Sequence, residues 1–227
     1  MEQLAELLNR YDYFMFDLYG TIIDIRTDEW ADETWKKFLA YLDEINVGHP
    51  DLETFRDDFF KLDKAYREKD TPFDYPEIEI REVYEELFVK YNGKCPENLS
   101  EISYKFREVS REYMRFMPGF PEFLALLKKE KKKVFILSNA QASYTLPEIK
   151  FFEFDKLMDD FIMSSDYGCM KPDIHFYNAL IEKNHMDKSR TVMFGDSLEN
   201  DVMGAKNAGI SGVHVDGKEF YKKLLAL

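Results

Sequence analysis

Apolar residues fall along this chain in two rhythms. Five short runs are almost continuously apolar: Tyr13 to Asp17 (YFMFD), Val134 to Ser138 (VFILS), Phe161 to Ser165 (FIMSS), Val192 to Asp196 (VMFGD) and Gly212 to Asp216 (GVHVD). Strands covered on both faces carry that pattern, because neither side of the pleat meets water. Helical spacing separates the runs. Phe120 to Lys131 leads into the second, Asp173 to Asn184 follows a Lys-Pro pair, and Leu198 to Ala208 stops at Gly209. A glycine just past the last helical residue is a natural terminator. The alternation predicts an α/β fold: a doubly wound, Rossmann-like parallel sheet with right-handed crossovers and helices on both faces. Ligands of such sheets sit at the carboxyl ends of the strands.

The alternation breaks once. Between the first two strands the sequence turns helical, acidic and aromatic, with apolar residues at three- and four-residue intervals over Glu29 to Ile45, Leu52 to Glu68, Glu77 to Tyr91 and Leu99 to Phe116. Turn signals at His49-Pro50, Thr71-Pro72, Asn92-Gly93 and Pro118-Gly119 punctuate it. So long a helical run inside a compact sheet reads as an inserted subdomain and not as one crossover. The expected division is a core of residues 1–23 and 118–227 with an inserted helical cap over 24–117, hinged near Asp24 to Thr27 and Met117 to Gly119.

Composition narrows the class. The 227 residues are 45% hydrophobic and 16% aromatic, enough for a sizeable core. The formal net charge of −13 excludes a general binder of nucleic acid or anionic membranes, which needs a basic face. No apolar stretch could span a bilayer, and the N-terminus (MEQLAELLNR) has no signal-peptide core. Two cysteines, Cys95 and Cys169, are too few for a disulfide framework. These features predict a soluble, cytoplasmic globular protein acting on a small molecule.

The candidate chemistry lies at the strand ends. Asp17 closes the first strand and is followed by Leu18, Tyr19, Gly20 and Thr21. Ser138 and Asn139 end the second, Lys171 sits in a loop after the third, Asp196 ends the fourth, and Asp201 follows shortly after. Singly, each has a structural explanation as a cap, a turn or a helix start. Together, one at nearly every strand end, they describe a site.

These segments, FDLYGT (Phe16 to Thr21), LSN (Leu137 to Asn139), CMKPD (Cys169 to Asp173) and GDSLEND (Gly195 to Asp201), resemble the four motifs of the haloacid dehalogenase-like (HAD) hydrolase superfamily, in its helical-cap branch. The resemblance covers the whole chain, since the insertion falls where that family carries its cap. It implies Asp17 as a nucleophile forming a covalent aspartyl intermediate. It implies Mg²⁺ held by Asp17, Asp196 and the backbone carbonyl of Tyr19, with Asp201 orienting a bound water or Lys171. Lys171 and Ser138 would stabilise the transferring anion, and Gly20, Thr21 and Asn139 would help bind a phosphomonoester.

One position departs from the common phosphatase pattern. The acid usually found two residues after the nucleophile, which protonates the leaving oxygen, is here Tyr19. A phenol with an ordinary pKa near 10 is a poor base at neutral pH. Asp24, Asp28 and Glu29 are conceivable substitutes or ordinary linker acids. Tyrosine at this position is similar to the 2-haloacid dehalogenase branch, where halide leaves without a proton and no metal is used. The acids Asp196 and Asp201 pull the other way, since they suit a divalent cation and would repel a halocarboxylate. Three readings therefore stand: Mg²⁺-dependent hydrolysis of a small phosphorylated metabolite, metal-independent dehalogenation, and a weakly active or non-catalytic phosphoryl-ligand binder.

The remaining features have structural explanations. His49, His175, His185 and His214 show no metal-ligand spacing, and nothing pairs Cys169 with a histidine base. Arg67 and Arg81 are expected to bridge acids of the insertion, and the lysines from Lys128 to Lys133 to lie on a solvated helix end.

Overall fold

The first strand, β1 (Tyr13–Phe16), runs parallel between two others, with Phe16 opposite Ile136 on one side and Phe194 on the other. The structure, a computed structural model, describes residues 2–226. After the opening helix α1 (Glu2–Arg10) and β1 come an antiparallel pair, β2 (Ile23–Thr27) and β3 (Arg111–Phe116), and between them four helices. These are α2 (Asp32–Glu44), α3 (Leu52–Arg67), α4 (Ile80–Asn92) and α5 (Leu99–Ser110). The chain continues through α6 (Phe120–Lys129), β4 (Lys133–Ser138), α7 (Ala142–Phe151), a short α8 (Phe154–Leu157), β5 (Asp160–Met163), α9 (Ile174–Lys183) and β6 (Thr191–Gly195). A π-helical turn over Leu198–Met203, α10 (Gly204–Asn207), β7 (Ser211–His214) and α11 (Phe220–Ala226) complete it. The sheet order is β5-β4-β1-β6-β7, all parallel.

Both faces of the sheet are covered, as continuous apolar strands require. Phe14, Phe16, Val134, Ile136 and Phe194 pack on one side against Phe120, Phe123 and Leu127 of α6 and Tyr221 of α11. Met15, Phe135, Leu137 and Met193 pack on the other against Phe176, Tyr177 and Leu180 of α9. This is the predicted doubly wound α/β fold. Helices α2–α5 have a hydrophobic centre of their own, built on Trp35, Phe38, Phe55, Phe59, Tyr84, Phe88 and Phe106. Burying each such ring contributes roughly 1.5–3 kcal/mol. Among the described residues, no helix is long and apolar enough to cross a membrane.

Two local expectations are corrected, for Leu99 to Phe116 and for Leu198 to Ala208, and one helix forms where none was expected. The helix expected over Leu99 to Phe116 ends at Ser110, and Arg111–Phe116 becomes β3, because β2 offers backbone partners from Ile23 to Thr27. Helix α7 forms despite Pro147 in its interior. Burial of Thr145, Glu148 and Ile149 against neighbouring elements outweighs the lost backbone bond. The single helix expected over Leu198 to Ala208 opens as a π turn, in which the Ser197 hydroxyl accepts from the amide of Asn200 at 3.1 Å. Such widened turns recur at functional sites.

The region of helices α2–α5 is bonded to the chain that follows β4 and β5. Tyr75 O accepts from the amide of Met170 at 2.9 Å, Gly168 O from Glu77 at 3.0 Å, and Gln141 Oε1 from the amide of Ile80 at 2.8 Å. Ser103 and Ser143 hydroxyls meet at 2.8 Å. The core partners lie in the segments between β4 and β5 and between β5 and α9.

Candidate active site

Chain reversal after β1 begins the site. Gly20 adopts φ +80°, and a side chain there would place its Cβ 2.5 Å from Asp196 Oδ2, so only glycine lets the β1 loop lie against that carboxylate. At the end of β6 the crowding repeats, since a Cβ on Gly195 would stand 2.1 Å from Asp201 Cγ. The two glycines are what allow three carboxylates to converge: Asp17, Asp196 and Asp201 offer oxygens that all lie within 4.8 Å of one another.

Lys171 joins two of them. Its ammonium donates to Asp17 Oδ1 and Asp201 Oδ1, each at 2.7 Å, and it is 2% exposed. Asp201 is 1% exposed and also accepts from the amide of Ser197 at 3.0 Å. Asn139 clamps the Lys171 backbone from both sides, donating to its carbonyl at 2.9 Å and accepting from its amide at 2.7 Å. Thr21 Oγ1 accepts from the amide of Asp196 at 3.1 Å and so ties the β1 loop to β6. Asp196 is the exposed member of the cluster, and Ser138 lies buried at the end of β4.

The electrostatics are unbalanced. Burial pushes the Asp17 carboxyl up to about 6, and although Lys171 pulls it down, Asp201 and Asp196 push it further up. Asp196 is raised as well, by burial and by Asp201. Burial works to lower Lys171, yet Asp17 and Asp201 outweigh it and hold the ammonium charged. Carboxylates that resist ionising beside one another can be balanced by a further cation or by a proton, and hard oxygen donors such as these fit Mg²⁺.

Tyr19 is placed differently. Its hydroxyl donates a hydrogen bond to Glu148 and lies 3.0 Å from Thr145 Oγ1. Glu148 is 0% exposed and also accepts from Arg107 Nε and Arg111 Nη1, both at 3.1 Å. Arg107 stacks over the Tyr19 ring at 4.9 Å and bridges Glu29 at 3.2 Å. Burial, and then the Glu148 charge, raise the phenol well above its ordinary value. Nothing in the local sequence marked Glu148, Arg107 or Arg111, which belong to α7, α5 and β3; an acid inside an apolar helical stripe was the available sign.

The other acids near the β1 loop are engaged. Asp24 accepts from Arg115 Nε at 2.9 Å and Lys218 Nζ at 2.8 Å, and Asp28 accepts from the amides of Trp30 and Ala31. Arg67 bridges Asp63 at 3.0 Å and Arg81 bridges Glu79 at 2.8 Å. His49 meets Asp43, His175 meets Asp173, and His214 Nε2 lies 3.0 Å from Asp196 O. Cys169 is buried, and burial pushes its thiol up to about 11.

Comparison with known proteins places the chain in a family. The family profile of the haloacid dehalogenase-like hydrolases matches residues 52–215. The chain is similar to a protein of Pyrococcus furiosus named glyceraldehyde 3-phosphate phosphatase, 25% identical over 91% of this chain and 81% of the relative. In fold it is similar to a 2-haloacid dehalogenase from Pseudomonas syringae pv. Tomato (TM-score 0.61, 16% identity, 95% and 98% of the two chains). It is also similar to the HAD-hydrolase YfnB from Bacillus subtilis bound to magnesium (TM-score 0.51, 19% identity, 89% and 87%).

Proposed function

This chain belongs to the haloacid dehalogenase-like hydrolase family, and from that premise we propose that it is a Mg²⁺-dependent phosphatase of small phosphomonoesters. The observation that carries the reading is the charge of the site: three carboxylates against one lysine. That excess repels a halocarboxylate and attracts a divalent cation, and the relative named a phosphatase supports the same choice. The 2-haloacid dehalogenase neighbour is similar in fold alone.

In this reading Asp17 attacks phosphorus and a water hydrolyses the aspartyl phosphate. Lys171, fixed by Asn139, keeps Asp17 oriented and offers positive charge to the transferring group. Ser138 and Thr21 hydrogen-bond its oxygens, whereas the Gly20 amide already donates to the Ile23 carbonyl at 2.9 Å and serves the turn. Asp17, Asp196 and the Tyr19 carbonyl would hold the ion, with Asp201 placing Lys171. Bound there, Mg²⁺ supplies charge neutralisation and polarises the phosphoryl oxygens. Helices α2–α5, over residues 24–117, would act as the cap, hinged at the β2–β3 ribbon, and closure would exclude water and set substrate choice.

The test is a parallel screen of phosphomonoesters and 2-haloacids with and without Mg²⁺. Phosphate release that requires Mg²⁺ is expected. Metal-independent halide release would replace this reading with dehalogenation, and phosphate binding without turnover would leave a binder.

A further inference from the structure

A cavity of about 320 Å³ opens between the helices α2–α5 and the start of α7. Trp30, Trp35, Phe59, Phe60, Phe106 and Tyr144 wall it. The polar groups on its lining are already matched. Gln141 serves the Ile80 amide and the Ile78 carbonyl, Arg67 pairs with Asp63, Glu29 pairs with Arg107, and the Tyr144 and Tyr84 hydroxyls meet at 3.3 Å. What the cavity presents to a guest is therefore aromatic faces. At its rim Trp30, 75% exposed, lies flat on Phe60 with ring centroids 4.8 Å apart and planes 5° apart.

Its position suits a leaving group. Gln141 and Tyr144 follow directly on Ser138 and Asn139, and the neighbouring Thr145 holds the hydroxyl of Tyr19, two residues beyond Asp17. Attack and departure at phosphorus are in line. With Asp17 attacking from the strand end, the departing oxygen points away from the sheet, the side covered by α2–α5.

A second observation bears on the chemistry of that oxygen. The position two residues after the nucleophile carries no free acid, because the Tyr19 proton is committed to Glu148. Asp24 and Asp28 are held by Arg115, Lys218 and the amides before α2. A general acid is worth about 100- to 10,000-fold where the leaving group is a strong base. A phenolate, whose conjugate acid has a pKa near 10, leaves without that help far more readily than an alkoxide.

We propose that the substrate is a phosphomonoester of an aromatic alcohol, with the ring in the cavity beside Trp30 and Phe60 and the phosphate at Asp17. This rests on the phosphatase reading and narrows it. Asp17 Oδ forms a bond to phosphorus as the phosphorus–aryl oxygen bond breaks, and the electron pair leaves with the phenolate. Water then attacks phosphorus and frees Asp17. One of its protons reaches the phenolate through solvent, so that ester and water become phenol and inorganic phosphate.

Phenyl, benzyl and cyclohexyl phosphates, assayed at saturating Mg²⁺, separate the two requirements. Phenyl phosphate should exceed cyclohexyl phosphate by at least about 100-fold in kcat/KM. Benzyl phosphate, which has the ring but an alkoxide leaving group, should match phenyl phosphate in KM and fall far below it in kcat. Trp30→Ala, a change at an exposed position, should raise KM for both ring substrates roughly 2- to 10-fold, the loss of one aromatic contact. Inhibition by inorganic phosphate, which reads only the Asp17 end, should stay as in wild type. Equal kcat/KM for phenyl and cyclohexyl phosphates, or an unmoved KM in Trp30→Ala, overturns the proposal while leaving the phosphatase reading intact. No Mg²⁺-dependent hydrolysis of any of the three overturns the proposal, and the phosphomonoester screen above then decides the phosphatase reading separately.

Discussion

Two ionic clusters, each centred on a buried group (Lys171 and Glu148), flank the exit of β1, and they are balanced in opposite ways. Around Lys171, three carboxylates face one ammonium, which leaves two negative charges in excess. Around Glu148, the guanidiniums of Arg107 and Arg111 meet Glu148 and Glu29, and the Tyr19 phenol closes the remaining acceptor. The second cluster is neutral and every member has partners. It joins α5 to α7 and to the β1 loop, so it ties the helices α2–α5 to the sheet. A buried charge that is fully paired is costly to break and inert. A buried charge left in excess is poised to take up a cation or a proton. Imbalance, and not burial or the number of acids, distinguishes the proposed catalytic corner from the structural one.

The sharpest break in this comparison is Asp17→Asn. It should lower Mg²⁺-dependent phosphate release by at least about 10⁴-fold, as losses of a nucleophile generally do, while the protein stays folded. A residual rate within tenfold of wild type would remove Asp17 from the reaction. The neutral cluster should answer through stability instead. Glu148→Ala leaves Arg111 without its carboxylate and Arg107 with only Glu29, and should cost about 3–5 kcal/mol in denaturant unfolding. A cost below about 1 kcal/mol would mean that this cluster does not hold the two parts together.

The unbalanced cluster should also show in pH dependence. Asp17 is raised from 3.8 to about 6 in the folded, cation-free protein, chiefly by burial. A raised carboxyl binds its proton more tightly folded than unfolded. Its stabilisation is therefore complete below pH 3.8 and lost as pH rises through 6. Carboxylates lowered by partners, such as Asp12 beside Arg190, have the opposite sign, so the readout is a difference. In EDTA, wild type should lose melting temperature relative to Asp17→Asn between pH 4 and 6.5, and Mg²⁺ should recover it. Parallel curves for the two proteins would contradict the assignment. The smallest effect belongs to Tyr19→Phe. It deletes one hydroxyl from a cluster whose arginines keep Glu148 satisfied, so unfolding should shift by about 1 kcal/mol and aryl phosphate turnover by less than about threefold. A loss of 100-fold would return the phenol to the chemistry as a proton donor.

Tyr19 also explains why the two clusters were unequally legible. Its departure from the phosphatase pattern is visible in FDLYGT, but its destination is not. The hydroxyl ends on residues 126 and 129 positions away in sequence, on a helix interrupted by Pro147 that local propensity argues against. The same holds for β3. The segment REYMRF continues a helical rhythm and becomes a strand because β2 supplies its backbone partners across the fold, with the Tyr113 hydroxyl reaching Asp24 over 89 positions.

The sequence by itself determined the parallel sheet and the strand ends that carry the candidate site residues. A strand buried on both faces must be apolar along its whole length, and each motif residue is carried by the strand end beside it, so both are written in runs of a few residues. Only the tertiary structure decided which charges would be spent on one another. Asp17, Lys171 and Asp201 meet through strand order, and Tyr19, Glu148 and Arg107 meet through the packing of α5 and α7. The balance of a buried cluster is a sum over residues far apart in the chain, and no local pattern records it.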